Sequence, residues 1–275
     1  METYEGHLAK MKTRLVDGDV AYQLPLDELR VDLNPLLGRT VSLSFRGVIH
    51  CTECGRKIKK TYNEGMCFPC TRALACADMC IVKPELCHYH LGTCREPEWG
   101  LAHCMTTHYV YLANASGIKV GITRAVNIPF RWMDQGAAEA LPILKVATRL
   151  QSGKLEVMFK DLVADKTNWR KMLTGDPESV DLCALRDGFL AEQHDQIEAF
   201  AQEWGPGSVE RLPDAEVVRL SYPIRTYPKK IVSHNFDKHG EVGGVLEGIK
   251  GQYLIFDTGV INIRKFAGYH VTLGF

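Results

Sequence analysis

Two Cys-x2-Cys pairs, Cys51/Cys54 and Cys67/Cys70, stand twelve residues apart in the stretch CTECGRKIKKTYNEGMCFPC. Knuckles at this distance let four thiolates converge tetrahedrally on one Zn²⁺, and Gly55 eases the first turn. Thiols paired this closely are reactive when no metal holds them, which favours a ligand role over four structural cysteines. A second cluster follows in CADMCIVKPELCHYHLGTCREPEWGLAHCMTTH. It lacks the two-residue spacing, so its ligand set is less legible. Cys80, Cys87, Cys94 and Cys104 are the chosen four, with His90 and His108 as the first alternates. Both sites are closed sets without an open position, hence structural rather than catalytic.

Nine of the ten cysteines fall between Cys51 and Cys104, and the N-terminal METYEGHLAKMKTRL has no apolar signal region. That context favours metal over disulfides and predicts a cytoplasmic protein. No apolar run approaches membrane-spanning length. Arg56, Lys57, Lys59 and Lys60 lie between the first two knuckles, where a rigid tip can present cations to phosphates. The formal net charge is zero, which argues against a general nucleic-acid binder, but the cations are unevenly spread. Residues 39–72 are basic and 174–216 acidic, so a neutral total can conceal a basic working face.

Beyond the cysteines, HYVYLANASGIKVGITR predicts two short strands about a turn, with Tyr111 on the first and Lys119 on the second. IPFRWMDQGA and SGKLEVMF follow, and their order and elements resemble the core of the GIY-YIG nuclease superfamily. The whole chain also resembles an uncharacterised bacterial and archaeal family, a domain of unknown function. The resemblance rests on the phrases CGRKIKK, DMCIVKPELCHYHLGTCREPEWG, VYLANASGIKVGITR, RWMDQGA, DKTNWRKML and GIKGQYLIFDTGVINIRKFAGY, and spans nearly all 275 residues.

The superfamily resemblance implies roles for residues that match. Tyr111 would deprotonate or position the attacking water. Arg131 would stabilise charge on the phosphoryl oxygens. Glu156 would hold one Mg²⁺ or Mn²⁺ at the scissile phosphate. Gly121 falls on the second-motif glycine. Two positions depart from the pattern: Tyr-Val-Tyr stands for Gly-Ile-Tyr, and Lys119 replaces the usual tyrosine. Such a lysine could act as a base or as a phosphate-binding cation, or mark a domain that keeps the shape and has lost hydrolysis.

The elements that must position these groups predict an α+β chain. Residues 1–50 alternate apolar and polar residues as strands, in HLAKMKTRL, VAYQL and TVSLSFRGVI. Residues 51–108 form the double zinc module, and 109–215 a small α/β core with a helical extension. Residues 216–275 form a β-meander, and both β-rich ends can belong to one domain. Within the core, a helix is expected from Asn127 as N-cap with Pro129 in its first turn, and another capped by Ser152. A further helix is expected in KTNWRKMLTG, and one long helix in SVDLCALRDGFLAEQHDQIEAFAQEW. The expected function is a metal-dependent phosphodiesterase acting on DNA or RNA, with two structural Zn²⁺ and one catalytic Mg²⁺ or Mn²⁺. The alternative is a non-catalytic nucleic-acid-binding or complex-associated protein using the same groove.

Overall fold

The computed structural model describes residues 2–160, 162–163 and 168–275. Its strands form three antiparallel sheets, and with the helices they make a mixed α+β architecture. No helix among the described residues is long and apolar enough to cross a membrane.

The largest sheet draws strands from both ends of the chain. Its order begins β1 (Thr3–His7), β15 (Tyr269–Gly274), β5 (Thr40–His50) and β12 (Glu241–Lys250). It continues through β13 (Tyr253–Phe256) and β14 (Gly259–Asn262), while the short β6 (Lys57–Ile58) pairs antiparallel with the end of β5. Because side chains alternate across a strand, Val41 and Leu43 of β5 face inward with Val271 and Leu273 of β15. A three-stranded sheet, β2 (Lys12–Val16), β3 (Asp19–Leu26) and β4 (Leu29–Asp32), closes over that core with Tyr22, Leu24 and Leu26.

The five-stranded sheet carries the Tyr111–Lys119 hairpin. Its order is β10 (Val209–Arg211), β9 (Glu139–Val146), β7 (His108–Asn114) and β8 (Ile118–Arg124), with β11 (Val218–Arg219) also on β9. Alternation divides its two faces between two cores. Val110, Leu112 and Val120 pack with Leu155 and Phe159 of α5 (Arg149–Phe159), and with residues of α7 (Leu182–Glu192) and α8 (His194–Trp204). Tyr111 and Ala113 point the other way, into the main β-core, where Trp132 and Met133 of α4 (Phe130–Asp134) meet them. Tyr111 and Lys119 therefore share the face turned toward α4.

Several local expectations are corrected. The helix before β9 starts at Phe130, not Asn127. Asn127 ends a 3-10 turn and Ile128 is extended (φ −86°, ψ 133°), as sterics demand of a residue preceding proline. Ser152 does not cap α5. Thr148 does, accepting from the Gln151 backbone at 3.3 Å while the Gln151 side chain accepts from the Thr148 backbone at 2.9 Å. This reciprocal capping box uses two otherwise orphaned donors and draws Ser152 inside the helix. The long acidic helix is two, interrupted at Gln193.

Further along, α6 is only Trp169–Met172, capped by Asn168, and Lys166 and Thr167 lie outside the described residues. HLAKMKTRL is split between β1 and β2, and only Val218–Arg219 of EVVRLSYPI is a strand. GVINIRKF leaves β14 at Asn262, whose side chain caps a 3-10 turn over Ile263–Phe266.

The cysteine segment has little regular structure beyond α1 (Phe68–Ala73), α2 (Met79–Val82) and α3 (Pro97–Cys104). It is seated on α5. Arg149 donates to the carbonyls of Cys80 (3.1 Å) and Ile81 (2.6 Å). At Gly153 a Cβ would come within 2.4 Å of the Glu85 backbone nitrogen, so only glycine allows this approach.

Candidate functional site

Cys51, Cys54, Cys67 and Cys70 have their Sγ atoms all within 4.8 Å of one another. The Cys54–Cys67 separation is 3.8 Å. Four sulfurs at 2.3 Å from a tetrahedral ion have edges of about 3.8 Å, so the cluster has the right span for one metal. Its thiols shift in opposite directions. Burial alone would raise the Cys51 thiol, but backbone N–H groups of Cys54, Cys67 and Glu53 hold it down at about 6. Cys70 goes the other way, pushed up to about 12 by its hydrogen bond with Cys67 and by burial. The cluster can hold a metal ion, and its all-thiolate donor set suggests zinc.

The second cluster is more complex. Cys80, Cys87, Cys94 and Cys104 line one enclosed cavity of about 10 Å³ together with Asp78 and His88. The atoms close enough to share an ion are a different set, Asp78, Cys80 and His88. Asp78 is also held by Arg95 at 2.7 Å. The alternates His90 and His108 are not in either metal-competent group. His108 is fully buried at the start of β7 with Nδ1 against the Thr106 carbonyl at 2.6 Å, and burial pushes it down to about 4. Asp78 was absent from the expected ligands because no cysteine-based spacing points to a carboxylate.

Beside these clusters opens a cleft of about 1270 Å³. Tyr111, Lys119, Gly121, Arg131 and Glu156, drawn from β7, β8, α4 and α5, all line it. The Tyr111 hydroxyl donates to Gln135 Oε1 at 2.9 Å, and Lys119 Nζ donates to the same oxygen at 2.8 Å. Gln135 had no role in the sequence reading. The available signal was its position four residues after Arg131, which places both on one face of a short helix.

Gly121 stands opposite Tyr111 in the β7–β8 register. A Cβ there would lie 2.7 Å from the Tyr111 hydroxyl. The glycine therefore makes room for a rigid ring whose far end is already fixed by Gln135. Gly121→Ala is expected to cost about 1–3 kcal/mol, as overpacking does, and to displace the hydroxyl. Denaturant unfolding checks the cost, and a midpoint equal to wild type would contradict this packing.

Burial sets the two titratable groups of the hairpin in opposite directions. It raises the Tyr111 phenol above its ordinary value, with the neighbouring Arg131 acting against the rise. It pushes the Lys119 ammonium down to about 8, helped by repulsion from Arg131 and opposed by Glu156. The phenol thus stays a donor while the amine is poised to lose its proton in the mildly alkaline range.

The remaining walls are basic. Arg72 and Arg95 come from the cysteine segment, Arg124 and Arg149 from the core, and Arg264 from the turn after β14. With Lys119 and Arg131 they make seven cations facing four carboxylates, Glu53, Glu64, Asp78 and Glu156. In a chain of zero formal charge, this cleft concentrates positive potential.

The four cations between the knuckles do not act as one patch. Arg56 turns to the Cys54 sulfur, whose hydrogen bond raises the guanidinium further. Lys57 lies on β6, paired with His50. Lys59 and Lys60 line a second depression of about 640 Å³, next to Lys265 and Arg264.

The fold and the cysteine cluster thus define an α+β protein with a metal-competent thiolate site beside a basic cleft. The chain belongs to the DUF2797 family, described as a protein of unknown function, whose family model matches residues 38–271. No curated protein and no solved structure matches the chain.

Proposed function

We propose that this protein is a metal-dependent phosphodiesterase of the GIY-YIG type, acting on DNA or RNA. The observation that carries the proposal is the convergence of Tyr111, Lys119, Arg131 and Glu156 on one cleft with a surplus of cations. A phosphodiester is the substrate that such a set suits, because its anionic oxygens and developing charge need fixed positive groups around them. The two cysteine clusters hold structural Zn²⁺ and present Arg72 and Arg95 to the cleft.

Glu156 is the carboxylate that would hold Mg²⁺ or Mn²⁺, an ion commonly bound by one or two carboxylates together with substrate phosphates. When bound, such an ion supplies Lewis acidity at the phosphoryl oxygen. Arg131 faces the same phosphate and strengthens its contact as charge develops. The opposite shifts of Tyr111 and Lys119 divide the proton work. Lys119 takes one proton from the attacking water as general base, and the phenol, whose own proton goes to Gln135, orients that water by accepting its other proton.

This assignment fixes a pH dependence. The neutral amine is the active form, so the rate rises with pH through about 8 and levels above it. Lys119→Tyr restores the usual superfamily residue and is expected to move that limb upward, toward the tyrosine range near 10. A pH–rate profile with the same midpoint in wild type and variant would contradict Lys119 as base.

The second proposal is a non-catalytic nucleic-acid binder, favoured by the complete burial of Tyr111 and its engagement with Gln135. One experiment separates the two. Metal-replete protein is incubated with labelled DNA and RNA panels, with and without Mn²⁺. Products that require Mn²⁺ support the phosphodiesterase, and binding without any product supports the alternative.

A further inference from the structure

We infer that the first cysteine cluster carries a stacking platform for unpaired bases, which makes single-stranded nucleic acid the substrate class of the adjoining cleft. Two aromatic rings of this cluster lie outside the hydrophobic cores of the described residues. Tyr62 is 53% exposed and Phe68 52% exposed. Their centroids are 5.3 Å apart with the rings tilted at 55°, so they form one aromatic ledge. Each has a cation over one face, leaving the other for a base: Lys60 Nζ lies 5.2 Å from the Tyr62 centroid and the Arg72 guanidinium 5.9 Å from that of Phe68.

The ledge also bridges two basic depressions. Tyr62 and Lys60 line the smaller one, together with Lys265. Arg72 lines the large cleft that contains Arg131 and Glu156. The Glu64–Arg264 ion pair belongs to both linings and marks their shared wall. A chain lying along this surface meets cations, then two aromatic faces, then cations again.

That alternation suits a single strand. Its backbone follows the charges while its bases lie on the rings, with cation–π contact from the flanking lysine and arginine. In a duplex each base is already stacked between its neighbours, so the exposed rings gain nothing unless base pairs open. The rigid knuckle fixes the ledge relative to the cleft, and the bound strand is delivered toward Arg131 and Glu156. The inference rests on the phosphodiesterase proposal for what happens there, and not for the binding itself.

The test compares fluorescence anisotropy for a labelled 12-nucleotide single strand and the blunt duplex of the same sequence. Wild type is expected to prefer the single strand by about tenfold or more, the scale of losing one or two stacked bases. Tyr62→Ala with Phe68→Ala is expected to remove that preference and leave duplex affinity within about twofold. Tyr62→Leu with Phe68→Leu keeps apolar bulk without a π-face and is expected to behave like the alanine pair. Tyr62→Phe with Phe68→Tyr is expected to bind as wild type does. Equal wild-type affinity for strand and duplex, or a leucine pair that binds single strands normally, would overturn the platform. A single strand that is bound through these rings but never cut, with Mn²⁺ present, leaves the platform standing and overturns the phosphodiesterase proposal. Cleavage of duplex with both aromatic rings dispensable does the reverse.

Discussion

Cys51→Ser is expected to strip the first knuckle of its metal and unfold the segment around it. Cys51 is 3% exposed and accepts the Cys67 backbone N–H at 3.2 Å, so its sulfur organises the turn as well as serving as a ligand. Around it there is little else to hold the fold. The local core is Cys51, Met66 and Cys67, with Ile58, Cys70, Cys76 and Ala77 packed against it. A core of that size cannot offset the entropy of ordering its own chain. Structural zinc in small modules binds with about 10–16 kcal/mol of apparent free energy, and that energy is folding energy. Metal analysis of protein purified without added zinc is expected to give two ions per chain for wild type and one for the variant. Limited proteolysis is expected to cut the variant between residues 51 and 73. A variant with full metal content and wild-type resistance would show that this cluster is not a metal site.

How much of this was legible beforehand varies with the range of the forces involved. The first cysteine set is a matter of spacing within twenty residues, and the four sulfurs do meet. The Tyr111–Lys119 hairpin was equally local, since alternation and a Gly-bearing turn define both strands. The cap of α5 was also written in the sequence, as Thr148 followed three residues later by Gln151. Ser152 stands closer to the apolar run and by position alone is the more obvious cap. The Asn127 cap failed for another local reason, the extended conformation that Pro129 imposes on Ile128.

What no local pattern could show is assembly. Arg72, Arg95, Arg149 and Arg264 are far apart in the chain and reach one cleft only through the seating of the cysteine segment on α5 and the return of the C-terminal strands. Gln135 matters only because β7 and β8 bring two donors to its oxygen. Asp78 joins Cys80 and His88 through the folding of short turns, not through any repeat. The basic run at Arg56–Lys60 looked like one patch because the sequence is one-dimensional. In three dimensions Arg56 serves the sulfurs, while Lys59 and Lys60 face a depression shared with Lys265.

The largest effect on chemistry is expected from Glu156→Ala. Glu156 sits on α5, which is fixed by the Thr148–Gln151 capping box and by Leu155 and Phe159 in the core, so the helix itself does not depend on this side chain. Its removal deletes a carboxylate from the cleft and leaves the arginines that bind phosphate in place. Affinity for nucleic acid is therefore expected to hold or rise slightly, since the cleft becomes more positive. The rate is expected to fall by about 10³-fold or more, at least the scale of losing one group that stabilises the transition state. Zinc content is expected to stay at the wild-type value, because neither cysteine cluster includes Glu156. The decisive measurement is single-turnover cleavage of a labelled single strand in Mn²⁺, run for wild type and Glu156→Ala purified side by side, with binding measured on the same samples. Cleavage by wild type that vanishes in the variant while binding persists is the predicted result. Cleavage that survives Glu156→Ala unchanged would contradict the account.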